Sequence, residues 1–201
     1  MDINKLILQA NKEYLPLKLK SKDNTLSKEE SDNLSALFVK LNLYKILKTS
    51  FMEELTKNQK VMAYLTENKL VTFHQETAVD SSGKTVSVDV PDQSMEERIS
   101  LIPDIFTSPI IEKMVKGHKE NIKIFEQTSD SRLTNEQLEL DVLESFLPKE
   151  ATEEDINAYL NEHYPSGIDK KQAGKVIGEI KKAFERADGK LVSQCVFKKA
   201  V

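Results

Sequence analysis

The chain has 201 residues, is 39% hydrophobic and 31% charged, carries a net charge of −4, and contains six glycines, six prolines and no tryptophan. That balance supports a real core and argues against a disordered chain. No apolar run approaches the roughly 20 residues that span a bilayer.

The profile reads as a soluble, helix-rich protein. The first residues, Met1 to Lys5, have neither an apolar signal core nor an Arg-rich transit pattern. Cys195 is the one cysteine, so no internal disulfide can form, as suits a reducing compartment. A cytoplasmic location is expected. The charge is uneven. Residues 166–201 hold nine Lys/Arg against four Asp/Glu, a net of +5, while the other 165 residues carry −9. A basic end on an acidic body suggests that the two parts face different partners.

In chain order, Ile3, Leu6, Ile7 and Ala10 predict a helix over 1–14, ended by Pro16. A polar connection over 18–25 follows. Ser27 and Glu30 form a capping-box pattern before a long stripe: Leu34, Leu37, Phe38, Leu41, Tyr44, Leu47, Phe51 and Leu55. One helix running to about Leu65, with that stripe as core, is expected. Residues 70–73 and 85–90 are β-branched and aromatic, with turn chemistry at 80–84, so a β-hairpin over about 69–90 is predicted to end at Pro91. Ser94 with Glu97 opens a short helix. Pro103 and Pro109 bracket a turn before a helix over 110–127. TNEQ at 134–137 reads as another capping box, leading a helix towards Pro148. Thr152, with Asp155, caps a short helix closed at residues 165–167. Asp169 caps the next, over 170–186. Gly189 after Asp188 reads as a left-handed helix stop, and 190–199 as the last helix.

Catalytic signatures are missing: there is no GxGxxG, Walker loop, GxSxG or HExxH. His74, His118 and His163 lie far apart, and none pairs with another His or with Cys195 at ligand spacing. His118 falls on an apolar helix face, where a packed or half-buried imidazole is expected. Cys195 reads as a small core residue. The pairs Glu29–Glu30, Glu96–Glu97 and Glu153–Glu154 fall at helix starts, where they complement the helix dipole. No cofactor and no metal site is expected. Gly174 and Gly178, four apart on a helix, each cost roughly 1 kcal/mol against Ala. A bare face offsets that cost by letting a neighbouring helix or a phosphate backbone approach closely.

LESFLP at 143–148, GKVIG at 174–178 and the nine-residue RADGKLVSQ at 186–194 resemble the GatB/YqeY family. KGHKENI at 116–122, followed by Phe125-Glu126, is similar to the family's long helix. The resemblance covers about residues 110–201. It implies a mainly α fold, with an N-terminal helical bundle over 1–148 and a three-helix tail domain over 149–201; the hairpin read from residues 69–90 is an insertion into that bundle. In the glutamine-dependent amidotransferase of this family the tail holds tRNA, and the catalytic parts lie elsewhere. By matching position, Gly174, Lys175, Gly178, Arg186, Gly189 and Lys190 are the implied tRNA-facing residues, with Lys181 beside them as a further phosphate contact. Three departures stand out. The segment between Gly178 and Arg186 is one residue short and lacks a proline, Gly117-His118 replaces Gln-Arg, and the hairpin has no counterpart in the usual bundle. The expected function is a non-catalytic accessory that binds tRNA or a tRNA-handling enzyme. The alternatives are a protein-interaction module using the hairpin or the glycine face, and a carbon–nitrogen ligase role with glutamine as amido donor, within a larger complex only. An enzyme of another type ranks last.

Overall fold

The computed structural model describes residues 1–184 and 186–200. The described chain is mainly helical, with a single two-stranded antiparallel sheet. It divides into two compact units, residues 1–146 and 147–201.

In the first unit, α1 (Ile3–Lys22) runs beside α2 (Lys28–Lys57), which also touches α3 (Gln59–Glu67), α4 (Met95–Ser100), α5 (Asp104–Thr128) and α6 (Leu133–Glu144). Leu37, Leu41, Leu47, Phe51 and Leu55 are buried along α2, as their spacing predicts, and Leu43 joins them. Phe38 departs from the stripe. It is 52% exposed and meets Tyr14 of α1 with ring centroids 6.3 Å apart.

Pro16 does not end α1. An interior proline costs a helix roughly 3 kcal/mol. Here packing against α2 carries the helix through the proline, and the Lys20–Glu30 ion pair at 2.6 Å joins its last turns to the start of α2. The long helix expected to reach Leu65 breaks instead at Asn58. This one residue ends α2 and begins α3: its backbone N–H donates to the Glu54 carbonyl, while its side-chain oxygen accepts from Lys60 N at 3.0 Å. An Asx side chain can offer the backbone this alternative to continued helix.

The hairpin pairs β1 (Phe73–Val79) with β2 (Thr85–Pro91), in a register running from Phe73 opposite Pro91 to Val79 opposite Thr85. Its first strand starts later than the β-branched run suggests. Val71 is buried before the strand, and the polar stretch 74–77 forms it because β2 supplies the partners. The turn is built on Asp80, whose carboxylate accepts from Ser82 N at 2.9 Å and Lys84 N at 3.0 Å. Gly83 takes φ +82°, a conformation other residues rarely adopt.

Ser27 and Ser94 form the predicted capping boxes. Two expectations nearby fail. Pro103 caps α5, and Pro109 lies inside that helix rather than in a turn, because packing of Thr107 and Ile111 outweighs its lost hydrogen bond. TNEQ is not a cap. α6 starts before Thr134, and Asp130 organises the turn by accepting from Arg132 N at 2.9 Å and pairing with the guanidinium at 2.7 Å. That pairing lowers the Asp130 pKa to about 2.

The second unit contains α7 (Glu153–His163), a 3-10 turn (Lys170–Gln172), α8 (Ala173–Ala183) and α9 (Gly189–Lys199). Thr152 and Asp155 form the predicted capping box on α7. Ile156, Leu160, Val176, Ile180, Val192, Cys195 and Val196 make a single buried core. Of the helix predicted over 170–186, residue 185 lies outside the described residues, and α8 stops at Ala183. Gly189 is not a left-handed stop. It is the first residue of α9 because Asp188 caps that helix, accepting from Lys190 N at 2.7 Å and Leu191 N at 2.8 Å.

Candidate functional site

Gly174, Gly178 and Lys181 recur at i, i+4 and i+7 on α8 and so share one face. Nothing lies within 4 Å of where a Cβ would stand on Gly174 or Gly178. Both glycines are exposed. Among the described residues no helix packs onto this face, so its backbone stays open to a partner.

Lys181 carries the face on to α9. Its Nζ lies 3.2 Å from where a Cβ would stand on Gly189. Lys190 follows, also exposed. Asp188 sits between these cations. The amides of Leu191 and Lys190, then the charges of Lys190 and Lys181, hold its carboxyl below the usual range. Asp188 thus already occupies the N-terminal amides of α9. A phosphate arriving here meets lysine side chains rather than the helix end.

The structure therefore joins Gly174, Gly178, Lys181, Gly189 and Lys190 along one stretch, and sets Lys175 and Arg186 apart. Lys175 pairs with Glu179 at 3.7 Å. Arg186 is a clip: its Nη1 donates to the Pro148 carbonyl at 3.0 Å, and its own carbonyl accepts from Ala151 N at 2.9 Å. Lys198 is held by Glu153 at 2.8 Å, and Lys199 donates to the Leu160 carbonyl at 3.0 Å. Among the described residues Lys181, Lys182 and Lys190 form no ion pair. Charge is also sorted by helix. Glu153, Glu154, Asp155 and Glu162 lie on α7, whereas α8 and α9 carry six of the second unit's nine lysines.

A family model described as Yqey-like protein matches residues 74–200, more than half of the chain. The chain belongs to the YqeY-like family. The match reaches well upstream of residue 110, where the motifs alone begin to resemble the family. It takes in all but the first residue of the hairpin. No curated protein matches the YqeY-like chain. No helix among its described residues is long and apolar enough to cross a membrane.

Two features escape motif reading. Phe197 is 60% exposed and shares a shallow depression on α9 with Lys190, Ser193, Gln194 and Lys198. Its signal is spacing alone, seven residues after Lys190. The other is in the first unit. His118, half-buried on α5 as expected, points its Nδ1 at Glu136 Oε2, 2.6 Å away, and lies 3.7 Å from Glu139 Oε2. Burial raises the Glu139 pKa; the His118 charge opposes that shift. Cys195 is 1% exposed, and burial raises its thiol pKa, away from nucleophilic use.

Proposed function

We propose that this YqeY-like chain is a non-catalytic, cytoplasmic accessory that binds tRNA through the α8–α9 face. The observation that carries the reading is the open glycine face. Two helical glycines have nothing standing over them and lead into cations with no ion-pair partner among the described residues, Lys181, Lys182 and Lys190. A bare helix face admits a phosphate backbone closely, and lysines supply the sequence-independent attraction. Phe197 offers one ring for stacking beside Lys190. Family membership adds to this, since the tail of the related amidotransferase subunit resembles this unit and holds tRNA there. The amidotransferase link stays at that level, because nothing in the chain resembles the parts that do the chemistry.

The test is titration of labelled tRNA with the full chain at two salt concentrations. Neutralising about three phosphates predicts a fall of roughly 40-fold in affinity for a fourfold rise in salt. Lys181→Glu together with Lys190→Glu should abolish binding while leaving the fold intact by circular dichroism. No binding at low salt would refute the proposal.

A second reading rests on the hairpin. It is a two-stranded sheet with no further strand on either edge among the described residues, and most of β1 is exposed. An open edge can add a strand from a protein partner. Retention of every co-purifying protein after deletion of residues 73–91 would eliminate it.

A further inference from the structure

Glu136 and Glu139 lie one turn apart on α6 and face α5, where His118 meets both. The three side chains are 15%, 17% and 22% exposed. One ligand atom from each falls within 4.8 Å of the others. Among the described residues neither glutamate pairs with a Lys or Arg. Two carboxylates thus share a half-buried space with a single imidazole, a set short of positive charge. Asn121 Nδ2 donates to Glu136 at 3.3 Å and helps to hold that carboxylate in place.

The pattern at His74 shows what distinguishes this cluster. There Glu76 meets Nε2 at 2.9 Å and Asp92 meets Nδ1 at 2.6 Å, on different edges of an exposed ring. No ion can be reached by that ring and both carboxylates together. At His118 both glutamates converge on Nδ1. A first-row ion bonds nitrogen and oxygen ligands at about 2.0–2.2 Å, which spaces the ligand atoms roughly 3–3.5 Å apart. The 2.6 Å separation would open and the 3.7 Å separation would close, each by less than about 1 Å.

We infer that His118, Glu136 and Glu139 form a binding site for a divalent first-row transition metal ion. One nitrogen and two carboxylate oxygens suit zinc or manganese better than calcium or magnesium, which favour oxygen alone. For Nδ1 to act as ligand, the ring carries its proton on Nε2. Three protein ligands leave a position for water. The bound ion staples α5 to α6 and neutralises the two glutamates.

The experiment treats the full chain with chelator, removes it, and titrates with zinc by calorimetry. Cobalt absorption reports the ligand field independently. One ion per chain is expected. His118→Gln and Glu139→Gln should each weaken binding by at least about tenfold, and His74→Gln should leave it unchanged. Zinc should raise the melting temperature of the parent chain but not of E139Q. Thermal unfolding without metal checks that each variant folds, and comparison of H118Q with E139Q keeps the test valid if one does not. Absence of stoichiometric zinc binding overturns the inference, as does binding that survives both H118Q and E139Q or that depends equally on His74.

Discussion

Replacing Gly178 by Ala separates two uses of a bare helix face. Gly178 is the sixth residue of α8, in its interior, and a Cβ there meets nothing within 4 Å. An interior Gly→Ala change should therefore stabilise the helix by about 0.5–1 kcal/mol, because alanine has less backbone freedom to lose. Gly174 lies in the first turn and should give less. The double variant is expected to gain about 1 kcal/mol, roughly a fivefold shift in the folding equilibrium. Urea unfolding of the full chain, followed by circular dichroism, measures this. The same variants should bind tRNA more weakly, since a methyl group keeps the phosphate backbone off the helix. A loss of stability would mean that something packs on the face. Unchanged tRNA affinity in a stabilised variant would refute the close-approach reasoning and leave the glycines without a binding role.

Three further outcomes are expected. Cys195, 1% exposed with its thiol pKa raised by burial, should react with a thiol reagent only after denaturation; rapid labelling of the native chain would contradict its place in the core. Phe197→Ala should leave stability unchanged, since the ring is 60% exposed, yet lower tRNA affinity by about 1–3 kcal/mol if a base stacks on it; equal binding by filter assay would exclude stacking. Burial raises the Glu139 pKa above its ordinary 4.5, so the native state favours the protonated acid. Its contribution is then fully favourable below about pH 4.5 and is lost as pH rises through the raised value. Metal-free Glu139→Gln should accordingly be more stable than the parent chain at neutral pH, with the gap closing in acid. A gap that widens in acid would reverse the sign.

Local features were the legible ones. Ser27, Ser94 and Thr152 cap helices because the cap and its acidic partner three residues on are neighbours in the chain. The core positions of α2 and of the second unit follow from helical spacing alone. What stayed hidden depends on packing between distant segments. Pro16 and Pro109 look like stops until the surfaces that outweigh their lost hydrogen bonds are known. Asn58 could equally have faced solvent in an unbroken helix. The flexibility of Gly189 alone suggests a helix stop, whereas the Asp188 carboxylate before it decides that a helix starts there. In the candidate site, helical spacing puts Gly174, Gly178 and Lys181 together, but only the structure draws Arg186 into an internal contact and sets the exposed Lys175 beside Glu179. The approach of Glu136 and Glu139 to His118 depends on α5 meeting α6, which no local pattern encodes.

The sorting of acidic groups onto α7 and lysines onto α8 and α9 makes the second unit an electric dipole with little overall charge. A polyanion several Debye lengths away, each about 8 Å at physiological salt, would feel almost no pull. Within one such length the unit would feel a torque that turns its lysine side towards the polyanion. Productive collisions would then be selected by orientation rather than gathered from afar. Reversing the sign of one α7 carboxylate would add net positive charge yet weaken that alignment.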